Sequence, residues 1–205
     1  MSSPVPLILS TDRLELTLNP SIGGSISALE WIAGDRRMPV LRKCNSCSEN
    51  VLEAASFPLV PYVNRIRGGR FAFRGREVVL APNMAGDPSP LHGQGWLAPW
   101  QVESSAADRA VLSFRHSPGE WPWEYRAEQH FQLDESGLSL RLTCRNLSDA
   151  PMPCGLGQHP LGCLAARLGE ELTPGDLPHG RGGVVGGIVI HEYRFPADPL
   201  QRRGQ

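Results

Sequence analysis

The sequence predicts an all-β protein built as a large antiparallel β-sandwich, and three observations carry that expectation. Apolar residues alternate at period two in several short segments. The 205-residue chain is punctuated at short intervals by 22 glycines and 19 prolines. The clearest pair of alternating segments is joined by a Gly-containing turn.

Taken in order, Leu14, Leu16 and Leu18 share one face of an early strand. Phe71 and Phe73 mark another, closed by a turn at Arg74-Gly75-Arg76, and Ala110, Leu112 and Phe114 mark a third after a turn at Ala106-Ala107-Asp108. Tyr125, Ala127, Gln129, Phe131 and Leu133 then alternate up to Asp134-Glu135-Ser136-Gly137, and Leu138, Leu140, Leu142 and Cys144 alternate away from it. That pattern is a hairpin with one face buried and one wetted. After Pro160 the period changes from two to about 3.6. Leu161, Leu164, Ala165, Leu168 and Leu172 follow a helical spacing, the Gly-rich run R-G-G-V-V-G-G follows, and one strand is expected from Ile188 to Phe195. Residues 1–160 are therefore the sandwich portion, and residues 161–205 an atypical tail that either caps the same domain with a helix or belongs to a different design.

With 40% hydrophobic and 20% charged residues the chain can bury a core, in one domain or with a small second one. A net charge of −1 gives no broad attraction to nucleic acid or to an anionic membrane, so the expected partner is small and neutral. The start, M-S-S-P-V-P-L-I-L-S, has no basic n-region, and no apolar run is long enough to span a bilayer. A soluble cytoplasmic protein is expected. Five cysteines do not make a disulfide framework, in keeping with a reducing compartment. Cys44-x-x-Cys47 has the spacing of a metal or redox pair, but no second C-x-x-C follows, so a plain loop is expected there.

Three segments carry candidate chemistry. His159, in P-C-G-L-G-Q-H-P, offers a proton-exchanging imidazole between Gly155, Gly157 and Pro160, the last biasing its backbone to extended geometry. A satisfied structural histidine fits the same pattern. Zinc held by Cys154, His159 and Cys163 would lack a fourth ligand and a familiar spacing. Arg65, in P-Y-V-N-R-I-R-G-G, presents a planar fork of donors suited to vicinal hydroxyls, with Asn64 and Tyr62 beside it; it also reads as a solvated arginine next to Arg67 and Arg70. His92 lies in L-H-G-Q-G-W, where Gly93 and Gly95 permit close backbone approach and Trp96 offers a flat apolar face for the C–H side of a pyranose. Taken one at a time, Trp96, Trp100, Trp121 and Trp123 each read more readily as core residues at sandwich corners. There is no G-x-S-x-G, no phosphate-binding glycine loop and no basic-aromatic interleaving of the RNA-binding kind.

In order along the chain, N-R-I with G-G-R-F, L-H-G-Q-G-W, E-W-P-W-E-Y and P-M-P-C-G-L-G-Q-H-P resemble the aldose 1-epimerases, or galactose mutarotases, over about residues 1–160. The resemblance implies a galactose mutarotase-like sandwich with a sugar cleft, interconverting the α and β anomers of a free aldose such as glucose or galactose without cofactor or metal. It implies His159 as the general acid toward the ring oxygen, His92 as a hydrogen-bonding group near that oxygen, and Arg65 as the residue that orients sugar hydroxyls; Asn64 and Trp96, beside them in the same motifs, are expected to add sugar contacts. The family's general base is a glutamate on a late strand. This chain departs from the pattern after His159: it reads H-P-L-G-C where the family continues H-P-Y-F and further strands. The sandwich is thus expected to be C-terminally incomplete, the tail being either genuine divergence or a frameshifted or truncated end. Glu192, in I-V-I-H-E-Y, is the strand-placed carboxylate of the tail that could substitute as base. The alternative function is a carbohydrate-binding pseudoenzyme or inactive fragment. Uncovered sheet edges would favour a homodimer that buries them.

Overall fold

The strands, in chain order, are β1 (Leu7–Ser10), β2 (Leu14–Asn19), β3 (Ser25–Ala33), β4 (Arg36–Pro39), β5 (Ser56–Leu59), β6 (Arg70–Phe73) and β7 (Arg76–Val79). They continue with β8 (Gln101–Ser105), β9 (Arg109–His116), β10 (Tyr125–Asp134), β11 (Gly137–Asn146), β12 (Gly157–Pro160), β13 (His179–Val185) and β14 (Ile188–Pro196). The structure is a computed structural model and describes residues 5–42, 50–160, 179–185 and 188–196. One six-stranded sheet runs β1-β2-β3-β5-β12 with β4 beside β3, a second runs β13-β14-β11-β10-β9-β8, and β6 and β7 form a separate hairpin. The expected all-β antiparallel sandwich is what the chain forms.

Alternation explains the packing. Leu14, Leu16 and Leu18 of the first sheet and Ala127, Phe131, Leu133, Leu138, Leu140 and Leu142 of the second are buried in one shared core. The expected hairpin pairs Tyr125 with Asn146 at its open end and Asp134 with Gly137 at its closed end. Its turn is fixed by Asp134 Oδ1, which accepts from the Ser136 N–H at 2.8 Å and the Ser136 hydroxyl at 2.6 Å. The turns expected after Phe73 and before Arg109 likewise join β6 to β7 and β8 to β9.

The tail strand expected from Ile188 to Phe195 is β14, and it lies on the β11 edge. Arg181 to Val185 of the Gly-rich run before it belong to a further strand, β13, paired with β14 from His179↔Arg194 to Val185↔Ile188. Glycines have no side chains to alternate, so period two is invisible across such a strand. The helical pattern over 161–172, the Cys44-x-x-Cys47 pair and Cys163 lie outside the described residues.

One strand departs from the two-faced rule and positions the site. All four residues of β5 are buried. Phe57 and Leu59 do not join the sandwich core; with Val51, Leu91 and Trp96 they build a second apolar cluster. That small core is the platform beneath the loops carrying His92 and Arg65.

Candidate functional site

Antiparallel pairing of β12 with β5 sets His159 directly opposite Phe57, which puts their side chains on the same face. The two rings stack with centroids 4.8 Å apart and planes 10° apart. Phe57 also stacks against Trp96 at 5.6 Å. His92 stands edge-on to this layer, its centroid 5.5 Å from His159 and 6.0 Å from Trp96. Gly157, two residues before His159, has no room for a side chain: a Cβ there would lie 2.9 Å from Val63 Cγ2 and 3.0 Å from Leu59 Cδ1.

The His92 loop is tied to two others. The Val60 N–H donates to the His92 carbonyl at 3.2 Å, and the His92 N–H donates to the Asn64 carbonyl at 3.1 Å. In return the Asn64 N–H donates to His92 Nδ1 at 3.1 Å. An N–H can only donate to an unprotonated ring nitrogen, so the neutral ring carries its proton on Nε2. Burial above all, then the charges of His159 and Arg65, push the His92 pKa down to about 4. His92 is therefore a neutral Nε2–H donor at physiological pH. Gly93 follows at φ +74°, and a Cβ there would run into the Val60 carbonyl oxygen.

Arg65 lies beside the pair with its side chain 54% exposed, and its Nε donates to Asp87 Oδ2 at 2.6 Å. The Ser89 N–H and the Arg65 guanidinium hold the Asp87 carboxyl below its ordinary range. Asn64 serves this arrangement through its backbone to His92 and through Oδ1, which accepts from the Arg65 N–H at 2.9 Å. Beyond Gly93 a cleft of ~240 Å³ is lined by Tyr62, Asn83, Gln94 and Glu120 among others; burial raises the Tyr62 phenol to about 12.

The structure thus brings Arg65, Asn64, His92 and His159 together. Trp96 is set differently from the sugar-stacking expectation: it is 1% exposed, its face is against Phe57 and its indole N–H is given to the Leu91 carbonyl at 3.1 Å. It supports the site from beneath. Trp100, Trp121 and Trp123 are core residues too. Cys154 packs against the sandwich core and hydrogen-bonds with Cys144, whose thiol pKa that bond and burial push well up. Among the described residues no three His, Cys, Asp or Glu side chains are grouped as a metal site.

The tail carboxylate is corrected by register. Glu192 pairs with Arg141 and Tyr193 with Leu140; Arg141 is exposed and Leu140 buried. Tyr193 accordingly packs on the core, its phenol within reach of the Gln158 N–H of β12, and Glu192 is exposed on the opposite face. It does not join the histidine pair. Two residues of the site were not singled out in the sequence. Phe57, in S-F-P-L, looks like any buried strand residue; Asp87, in G-D-P-S-P, carries only the turn signature of an Asp bonding two residues on, which the Ser89 N–H at 2.9 Å confirms.

Known proteins share the family and the fold. The aldose 1-epimerase family matches residues 11–162, a span that holds Arg65, His92 and His159. The Escherichia coli K12 protein YphB, itself uncharacterized, is 41% identical over 108 residues, which is 53% of this chain and 37% of YphB. A crystal structure from Escherichia coli K12, provisionally named an aldose 1-epimerase, superposes with a TM-score of 0.69 at 36% identity, covering 76% of this chain and 51% of that one. A galactose mutarotase related enzyme from Lactobacillus acidophilus shares the fold at 16% identity, with a TM-score of 0.62 over 89% of this chain and 59% of that one. The chain thus spans about half the length of these structures and less of YphB. With the matched span covering most of the described sandwich and its three chemistry-bearing loops, this chain belongs to the aldose 1-epimerase family.

Proposed function

We propose that this chain acts on free aldoses as a mutarotase, supplying the acid side of ring opening and closure. Family membership and the likeness of fold support a mutarotase-like function in general. The observation that carries the finer reading is the pairing of His92 and His159, with ring centroids 5.5 Å apart beside the Arg65 fork.

The reaction takes a proton from the C1 hydroxyl and delivers one to the ring oxygen as the C1–O5 bond breaks. Rotation of the aldehyde and reclosure on its other face gives the other anomer, so a base and an acid are both required. His92 is held neutral with its Nε2–H outward, so the role of acid falls in this reading to His159, set on β12 with its ring 5.5 Å from His92. His92 donates its Nε2–H toward the same oxygen, and Arg65 holds neighbouring hydroxyls. The base must reach the C1 hydroxyl, and the tail carboxylate Glu192 is exposed opposite Arg141, away from the histidine pair, so no base is assigned.

The exposed position of Glu192 favours a second reading, a chain that binds aldoses without turning them over. Polarimetry of freshly dissolved α-D-galactose separates the two: a mutarotase accelerates the approach to anomeric equilibrium and His159→Ala removes the acceleration. A chain that binds the sugar, as seen by saturation-transfer NMR, but leaves the polarimetric rate at that of buffer is a binder.

A further inference from the structure

Arg65 is held at one nitrogen and open at the other two. Nε donates to Asp87 Oδ2 at 2.6 Å, and among the described residues neither Nη1 nor Nη2 makes a hydrogen bond. Asp87 is fixed more firmly than its partner. Its other oxygen accepts from the Ser89 N–H at 2.9 Å, and the Ser89 hydroxyl oxygen accepts from the Gly68 N–H at 3.2 Å. The Ile66 N–H donates to the Pro90 carbonyl at 3.1 Å, so the loop bearing Arg65 and the loop bearing Asp87 are stitched on both sides of the ion pair. The carboxylate is 12% exposed against 54% for the guanidinium side chain.

An ion pair with one partner this exposed contributes little to stability. Its geometric effect is larger: a planar guanidinium bound through Nε loses most of its freedom to swing, while its Nη pair keeps the fork that suits two adjacent acceptors. We infer that Asp87 is a positioning residue for Arg65, taking Nε so that the two Nη groups are presented to adjacent hydroxyls of the bound sugar; this rests on the saccharide reading above. Neither oxygen of Asp87 is spare, so an amide in its place must turn an NH2 toward the Arg65 Nε–H, which breaks the mount, or toward the Ser89 N–H, which frees the side chain from its loop and leaves Nε on an uncharged oxygen that holds it more weakly.

The test uses the full chain labelled with 15N, alongside Asp87→Asn, Arg65→Lys, Arg65→Ala and the double variant Arg65→Ala/Asp87→Asn. Arginine Nε–H correlations read the mount directly, and saturation-transfer titration with methyl β-D-galactopyranoside, whose anomeric centre is locked, reads binding apart from turnover. The Arg65 Nε–H, assigned by its loss in Arg65→Lys, stands in the unmodified chain with those of Arg115 and Arg126, whose Nε also donates to a carboxylate, and in Asp87→Asn it alone moves away from them. Affinity falls about tenfold in Asp87→Asn, the size expected for losing one aligned charge-assisted contact. Arg65→Lys, which leaves Asp87 untouched and keeps the charge, loses as much, and the double variant binds no more weakly than Arg65→Ala. A bridge that merely joins two loops would lower the unfolding temperature of Asp87→Asn and leave affinity unchanged, and that outcome overturns the proposal. So does an Arg65 Nε–H signal that keeps its position in Asp87→Asn. If the unmodified chain shows no transfer to the glycoside while the Arg65 Nε–H signal still moves in Asp87→Asn, the mount stands and the saccharide reading falls.

Discussion

Asn64 and His92 hold each other through the backbone: the Asn64 N–H donates to His92 Nδ1 at 3.1 Å, and the His92 N–H donates to the Asn64 carbonyl at 3.1 Å. Both residues sit in the left-handed region, Asn64 at φ 66° and His92 at φ 57°. Two loops distant in sequence thereby lock one imidazole in one tautomer, with Nε2–H as its outward donor.

The first expected outcome concerns pH. The ordinary histidine pKa of 6.5 falls to about 4 at His92 in the folded chain and is regained on unfolding. Between these values the unfolded chain binds more protons, so stability falls as pH drops through that window. The contribution is fully present above pH 6.5 and gone below about pH 4. Titration of the histidine Cε1–H signals checks this: the His92 signal moves near pH 4, and the loss of denaturant midpoint from pH 7 to pH 5 is smaller in His92→Asn. A His92 signal titrating at its ordinary value contradicts the burial argument.

The second follows from the backbone at Asn64. Asparagine enters the left-handed region readily, whereas a β-branched residue there is an outlier. Asn64→Val is expected to cost about 1–2 kcal/mol from backbone strain and to lose the Oδ1 bond to the Arg65 N–H. Asn64→Gly keeps the conformation and loses only that bond. Thermal unfolding ranks the unmodified chain above Asn64→Gly and Asn64→Gly above Asn64→Val, and the 15N shift of His92 Nδ1 moves in Asn64→Val alone.

How far the sequence discloses all this depends on which physical signal each element leaves. The Tyr125 to Cys144 hairpin is legible because both strands bury one face only, and burial of one face writes itself as alternation. β5 leaves no such trace: Ser56 to Leu59 are buried on both sides, so a strand central to the site looks like a short apolar run. β13 is hidden for the opposite reason, since its glycines have no side chains to alternate. The positions that converge, Arg65, Asn64, His92 and His159, were found through ordered motifs. What those motifs could not give was division of labour: Trp96 is a floor because its indole N–H is taken by Leu91, and Asp87 matters because of a contact 22 residues away in sequence.

The third tests the close approach of two loops. Gly93 has φ +74° and a would-be Cβ inside the Val60 carbonyl, whose oxygen accepts from the Gly95 N–H at 3.2 Å. Gly93→Ala combines left-handed strain with an overlap against backbone that has no rotamer to yield, a loss of about 3 kcal/mol or more. Gly119→Ala meets nothing within 4 Å and is expected to be neutral. Chemical denaturation of the two variants side by side makes the comparison; equal stability would show that the His92 loop can move away from Val60 at little cost.

The fourth separates the two carboxyl and imidazole candidates by their places in the fold. His159 stacks on Phe57 at 4.8 Å within reach of His92, whereas Glu192 is exposed opposite Arg141. If His159 delivers the proton to the ring oxygen, His159→Ala should lower the polarimetric rate constant by about two to four powers of ten, with little change in unfolding temperature because the imidazole is only partly buried. Glu192→Gln should leave the rate unchanged, since a side chain on the outer face of the second sheet has no path to a sugar held over β12. A rate lost in Glu192→Gln would require β14 to present its other face to the site, and a rate kept in His159→Ala would move the acid to another group. His159→Gln sharpens the result: it retains a hydrogen-bonding side chain without a transferable proton, so it should bind the sugar as the unmodified chain does and turn it over as slowly as His159→Ala.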